Sequence, residues 1–281
     1  MDLPEPSLSI QQRRERWLLA TCVLFTLVAA AAPALHGGGL HSHGFADARP
    51  WLGLPCALDV LSNLPFLLFG AWGLWRLRMR AAAVDASTRA CAALFFGGLV
   101  LTAAGSAFYH WQPDDAGLLW DRAAMAVAFA GMLGLAAGGR ISPRSGPWLA
   151  AAALVGGALA VVAWRASGNL LPWGVVQFGG MALVLVLACL KPAAFGPKHP
   201  PLALGWVIAI YALAKAFELA DHAIFEATGA LVSGHTLKHL VASLAAWPVL
   251  AMLAHAGAAA RVRHNARGIP GGRPREAAAA Q

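Results

Sequence analysis

Eight long apolar runs dominate this chain and decide what it can fold into. A window of about 19 residues, one hydrocarbon thickness at a helical rise of about 1.5 Å per residue, finds them near 17–35, 58–75, 90–109, 121–139, 147–164, 170–190, 203–225 and 233–256. In a bilayer core every backbone amide needs an internal partner. Runs of this length, rich in Ala, Leu, Val and Gly, meet that need as helices, and the alternating pattern of a barrel strand is absent. Hydrophobic residues make up 59% of the 281 and charged residues only 12%, outside the usual composition of soluble domains. The expectation is an all-α integral membrane protein of about eight spanning helices, with no internal repeat and no separate soluble domain.

Basic residues set the orientation, because cytoplasmic loops carry excess Lys and Arg. Most of the 21 Lys and Arg fall on one side of the expected bundle: Arg13, Arg14 and Arg16, the 76–89 connection, Arg140 and Arg144, Lys191 and Lys198, and the tail from Arg261 to Arg275. Only Arg49 and Arg165 lie on the other side, and Arg122, Lys215 and Lys238 fall within helices. Both termini are therefore expected in the cytoplasm, with residues 1–16 a basic tail and 257–281 a disordered basic tail. The run at 17–35 reads either as a retained helix or as a cleaved signal peptide, and its length favours retention. The net charge of +8 is topology information rather than a nucleic-acid interface, because no basic-aromatic stripe accompanies it. Cys22, Cys56, Cys91 and Cys189 lack CxxC spacing and read as unpaired. Trp51, Trp111 and Trp120 fit the outer interface and Trp75 the inner one.

Ionisable groups inside apolar spans cost several kcal/mol unless partnered, and they usually mark function. The third run ends in GSAFYH, with Ser106 and His110 four residues apart on one face near the outer boundary. A short loop, WQPDDAGLLW, returns the chain with Asp121 at the same boundary. The last run opens on SGHTLKH, with His235 and His239 also four apart. Three histidines from two remote helices thus share one depth with a carboxylate and a hydroxyl, the donor set of a catalytic zinc ion with its fourth position open. Asp121 is suited to move the proton of an activated water, and Ser106 to donate to the oxyanion of an attacked carbonyl. The bland alternative is a set of helix-terminal histidines satisfied by water and headgroups, with His110 and Asp121 a neutral pair closing two helices.

Other polar residues leave alternatives open. Lys215 and Glu218 read as a structural pair. Asp221 and His222 are candidates for support of a ligand histidine or for a fourth ligand. Asp59 and Asn63, in LDVLSN, either orient a ligand histidine through its second nitrogen or cap a helix. His36, His41 and His43 read as an exterior loop that can close over the site. A transporter calls for polar groups at the bilayer midplane, and two histidines on one helix face cannot supply opposite axial positions of a haem.

Ser-x3-His, an Asp eleven residues later in a WDR-x2-M context, and a late SGHTLKH together resemble the alkaline ceramidase family, within the CREST group of membrane hydrolases and receptors. The likeness runs from LDVLSN to just beyond His239. It implies a seven-helix CREST-type core at 58–256 plus one extra N-terminal transmembrane helix, and zinc held by His110, His235 and His239. It also implies Asp121 and Ser106 as catalytic groups and a ceramide-type amide as substrate. The acidic, Trp-containing calcium segment of eukaryotic relatives has no counterpart in HSHGFADARPWLGLPCALD, so no calcium site is expected. The Ala-, Arg- and Gly-rich composition points to a bacterial inner membrane, with the site towards the periplasm and the substrate ceramide or a related N-acyl lipid. No protein or nucleic-acid partner is expected. A lipid receptor with a structural zinc is the alternative.

Overall fold

The computed structural model describes residues 9–36, 43–192 and 199–267, so His41, Lys198 and the last part of the basic tail lie outside the described residues. No β-strand occurs among those described. Helix α1, Ile10–Ala31, begins earlier than the apolar run suggests, because Ser9 and Gln12 close a capping box that satisfies two otherwise orphaned amides. The arginines expected in a tail therefore occupy the first turns of α1, and Arg14 donates to the Arg140 carbonyl at 2.8 Å. The run at 58–75 is divided into α2, Ala57–Leu61, and α3, Leu64–Met79, with a proline in the first turn of α3, where its missing N–H is harmless.

Helix α4, Ala86–Trp111, is capped by Asp85, which accepts from the Ser87 and Thr88 amides. Helix α5, Asp115–Arg140, is capped by Asp114 through the Gly117 amide at 2.7 Å. The Asp114 cap lies in the tight turn that returns the chain beside α4, while Asp85 caps the opposite end of that helix. After α6, Ser145–Ser167, the run at 170–190 forms α7, Leu171–Gly174, a π-helical turn at Val175–Gly179, and α8, Gly180–Cys189. The run at 203–225 is divided into α9, Leu204–Leu219, and α10, Asp221–Ala227. The last becomes α11, Gly234–Ser243, and α12, Ala246–Arg267. Helical backbone thus continues to Arg267, past the point at which a disordered tail was expected to begin.

Six helical segments among the described residues are long and apolar enough to cross a membrane: Ala57–Met79, Ala86–Trp111, Asp115–Arg140, Ser145–Ser167, Leu171–Cys189 and Gly234–Ala256. The chain is an all-α, multi-pass membrane protein, with fewer clear spans than the eight apolar runs. Two physical reasons account for the difference. Helix α1 takes Arg13, Arg14, Glu15 and Arg16 into its own length, and α9 has only 16 residues before the chain breaks at Ala220.

The bundle is built around α4 and α5, which approach through glycines as lipid-embedded helices do. A Cβ at Gly98 would stand 2.3 Å from the Ala128 nitrogen, and one at Gly131 would stand 2.2 Å from the Phe95 nitrogen. Phe96, Leu187, Leu204, Val249 and Leu253 fill the core with almost no exposure, joined by Leu18 from α1. Large apolar side chains such as Leu24, Leu68, Val155, Leu159 and Val162 cover the outside. An outward apolar surface of this kind suits lipid tails rather than water. Trp51, Trp75, Trp111 and Trp120 are all exposed, as interfacial anchors must be. All four cysteines are free.

Candidate metal centre

His110 occupies the last turn of α4, and His235 and His239 lie on successive turns of α11. Their exposures are 1%, 9% and 2%. The three rings meet at centroid separations of 4.8 to 4.9 Å. His110 Nε2 lies 3.2 Å from His235 Nε2, and one ligand atom from each ring falls within 4.8 Å of the other two. Nitrogens bound to one tetrahedral zinc are about 3.3 Å apart, given Zn–N bonds of about 2.0–2.1 Å. The donor set therefore fits a single divalent ion after small ring rotations, and three buried imidazoles turned toward one another have few other reasons to be there.

One ring is held in the tautomer a metal needs. His239 Nδ1 lies 2.8 Å from the Ser62 hydroxyl, which donates its single proton to the Asp59 carbonyl at 3.0 Å. The hydroxyl must then accept from His239, so Nδ1 carries the proton and the Nε2 lone pair faces the cluster. Support of a ligand through its second nitrogen is the usual device of metal sites. Of the two roles open to Asp59 and Asn63, support of a ligand ring or a helix cap, the side-chain contact to His239 falls to neither: Asn63 donates to the Asp59 carbonyl at 2.8 Å and stands at the N-cap of α3, and Ser62 does the orienting.

Asp59 acts on the ligand helix instead of on a ligand ring. Its Oδ1 accepts from Thr236 at 2.6 Å and from Ser233 at 3.4 Å, while Ser233 caps α11 through the Thr236 amide. On the other side Asp221 accepts from the His235 amide at 2.7 Å and from the Ala46 amide at 3.0 Å. Two carboxylates from separate elements thus hold the positive end of α11 and fix where its histidines point. Asp221 and His222 are not among the residues that converge as ligands.

Ser106 lies 3.5 Å from His239 Nε2, and the buried Asp121 carboxylate on α5 lies close to Ser106. Ser106, on α4, is thus the member of the pair in contact with the cluster. Two further residues reach it without having been singled out by the sequence. The Lys238 ammonium donates to His235 Nε2 at 3.0 Å and to Glu218 at 3.3 Å, and Glu218 also pairs with Lys215. A metal and an ammonium cannot share one lone pair, so Lys238 must turn toward Glu218 for His235 to act as a ligand. Phe45 packs on His110 and His235 at centroid distances of 4.5 and 4.7 Å and covers the cluster from the loop before α2.

That loop is fastened at several points. His43 contacts the Tyr109 hydroxyl at 2.9 Å and Asp115 at 3.4 Å. Arg49 pairs with Asp47 through two contacts of 2.7 Å and reaches the Leu231 carbonyl at 3.3 Å. The same guanidinium holds the Asp47 carboxyl below its ordinary value. Of the exterior loop expected to close over the site, the part described from residue 43 onward reaches the cluster through Phe45 rather than through a histidine. His36 is not part of the ligand cluster.

No family model matches the chain, and no curated protein sequence matches it. The case for function therefore rests on the geometry and on the motif residues themselves.

Proposed function

We propose that this protein is a zinc-dependent amide hydrolase of membrane lipids, cleaving ceramide or a related N-acyl lipid into a fatty acid and an amine. The observation that carries the reading is the buried cluster of His110, His235 and His239 with Ser106 and Asp121 beside it. The motif likeness to alkaline ceramidases supports the substrate class. The outer, periplasmic end of a bacterial inner-membrane bundle is the location that the distribution of basic residues favours.

His110, His235 and His239 would hold the ion through imidazole nitrogens, with His239 oriented by Ser62. Zinc in such a site supplies Lewis acidity, polarising a carbonyl and making water acidic near neutral pH. Asp121 accepts the proton of the attacking water and delivers it to the leaving amine nitrogen, so that the amide C–N bond breaks as a new C–O bond forms. Ser106 donates a hydrogen bond to the oxygen that gains negative charge and keeps its proton. Phe45 and the fastened loop limit water above the rings, which strengthens each electrostatic contact beneath. The apolar walls of the bundle suit an acyl chain.

Purified, zinc-loaded protein incubated with ceramide and other N-acyl lipids is expected to release fatty acid. His110→Ala and Asp121→Asn should each abolish release, the second without loss of zinc. Unchanged turnover in both variants would overturn the enzymatic reading, and zinc binding with no turnover of any amide would favour a lipid receptor of the same architecture.

A further inference from the structure

The charged residues next to the histidine cluster do not match a neutral headgroup. Lys238 sits three residues after His235 on α11, so both project from the same side of that helix. Among the described residues it is the cation in hydrogen-bond contact with the cluster, at 3.0 Å from His235 Nε2. Its side chain is 20% exposed and that of Glu218 31%, so both are largely withdrawn from solvent. Glu218 is contacted by Lys215 and Lys238 together. One carboxylate therefore faces two ammonium groups, and the triplet carries one positive charge in excess. Asp121, the carboxylate on α5, is a second anion within electrostatic range of Lys238. Charge inside a membrane protein is costly unless it is partnered, and an ammonium beside the reacting centre is a donor aimed at an anion.

We propose that the natural substrate carries a single negative charge on the amine side of its amide, received by the Lys238 ammonium. Under the hydrolase reading the acyl chain is the part matched to apolar helix walls, which leaves the amine side to carry the charge. Lys238 offers one ammonium beside the cluster, which suits one anionic group. Lysine acts as a point charge without the bidentate geometry of arginine, so a carboxylate and a phosphodiester share the required chemistry. An N-acyl amino acid is the simplest lipid of the first kind, and an N-acyl phospholipid of the ethanolamine type is one of the second. Turned from His235 toward Glu218, Lys238 stays one helical turn from the ligand His235.

The inference takes its amide from the hydrolase reading and its charge from Lys238 and Glu218, and the experiment keeps the two apart. N-palmitoylglycine and N-palmitoylethanolamine are nearly isosteric and differ by one carboxylate. Zinc-loaded protein is assayed for kcat/KM on both and on N-acylphosphatidylethanolamine, and thermal stabilisation by each lipid is measured in the same detergent. A charge-assisted contact predicts a preference for one of the anionic lipids over the neutral amide of about 10- to 100-fold. The preference should be lost in Lys238→Met and kept in Lys238→Arg. Preference for the carboxylate or for the phosphodiester identifies the headgroup. Equal use of charged and neutral amides, or a preference that survives in Lys238→Met, overturns the proposal and leaves the hydrolase reading standing. If no amide is cleaved, the hydrolase reading falls and the thermal shifts decide alone. A larger shift with an anionic lipid, lost in Lys238→Met, supports the charge site, and equal shifts refute it.

Discussion

Replacing Ser62 by Ala removes one hydroxyl and tests how the metal centre is held. That hydroxyl accepts from His239 Nδ1 at 2.8 Å and donates to the Asp59 carbonyl at 3.0 Å, in a residue 5% exposed. Without it two buried polar groups lose their partner, at about 1–3 kcal/mol for each group left unsatisfied. The carbonyl keeps a second donor in Asn63, 2.8 Å away, so the larger loss falls on the imidazole. His239 is then free to change tautomer and to rotate, and supports of this type alter metal affinity by about 10- to 100-fold. Ser62→Ala is therefore expected to raise the zinc Kd by about 10- to 100-fold in a competition titration with a chromophoric chelator. Ser62→Thr, which keeps the hydroxyl, should stay close to the parent. Zinc affinity within twofold of the parent for Ser62→Ala would refute the tautomer argument, because the ring would have been held by something else.

Two further outcomes follow from the packing and the outer loop. Gly131→Ala is expected to destabilise the detergent-solubilised protein by at least about 1–3 kcal/mol in thermal unfolding, the usual cost of overpacking. Its Cβ would lie 2.2 Å from the Phe95 nitrogen, whereas Gly97→Ala, on the partner helix with nothing within 4 Å, should be tolerated. The Asp47 carboxyl is held below its unfolded value of 3.8 by Arg49. Its stabilisation is fully present above pH 3.8 and is lost as pH falls through the lower folded value. Asp47→Asn should therefore loosen the loop at neutral pH, seen as faster proteolysis between residues 43 and 56, and the difference from the parent should shrink in hydrogen exchange measured well below pH 3.8.

Much of the site was legible because histidines and carboxylates stand out against apolar helices. The spacing of Ser106 and His110, and of His235 and His239, projects onto a helix face without knowledge of the fold, and short turns carry both pairs to one end of the bundle. Ser62 was not legible in the same way. It lies at the break between α2 and α3, where helical periodicity no longer predicts which side chain faces inward, so Asp59 and Asn63 attracted the role by chemistry alone. Phe45 belongs to a loop, where an apolar residue carries no periodic signal. Lys238 could have been found, since three residues separate it from His235 on the same helix. Boundaries failed for local reasons: the Ser9 capping box extended α1 into the arginines, and Ala220 interrupted α9.

Metal analysis of the detergent-purified protein tests the central claim most directly. About one zinc per chain is expected, with loss of the metal when His235 and His239 are both replaced by Ala and the helical content is retained. Protein that binds no divalent ion, or that keeps its full zinc content in the double variant, would contradict a shared metal at His110, His235 and His239.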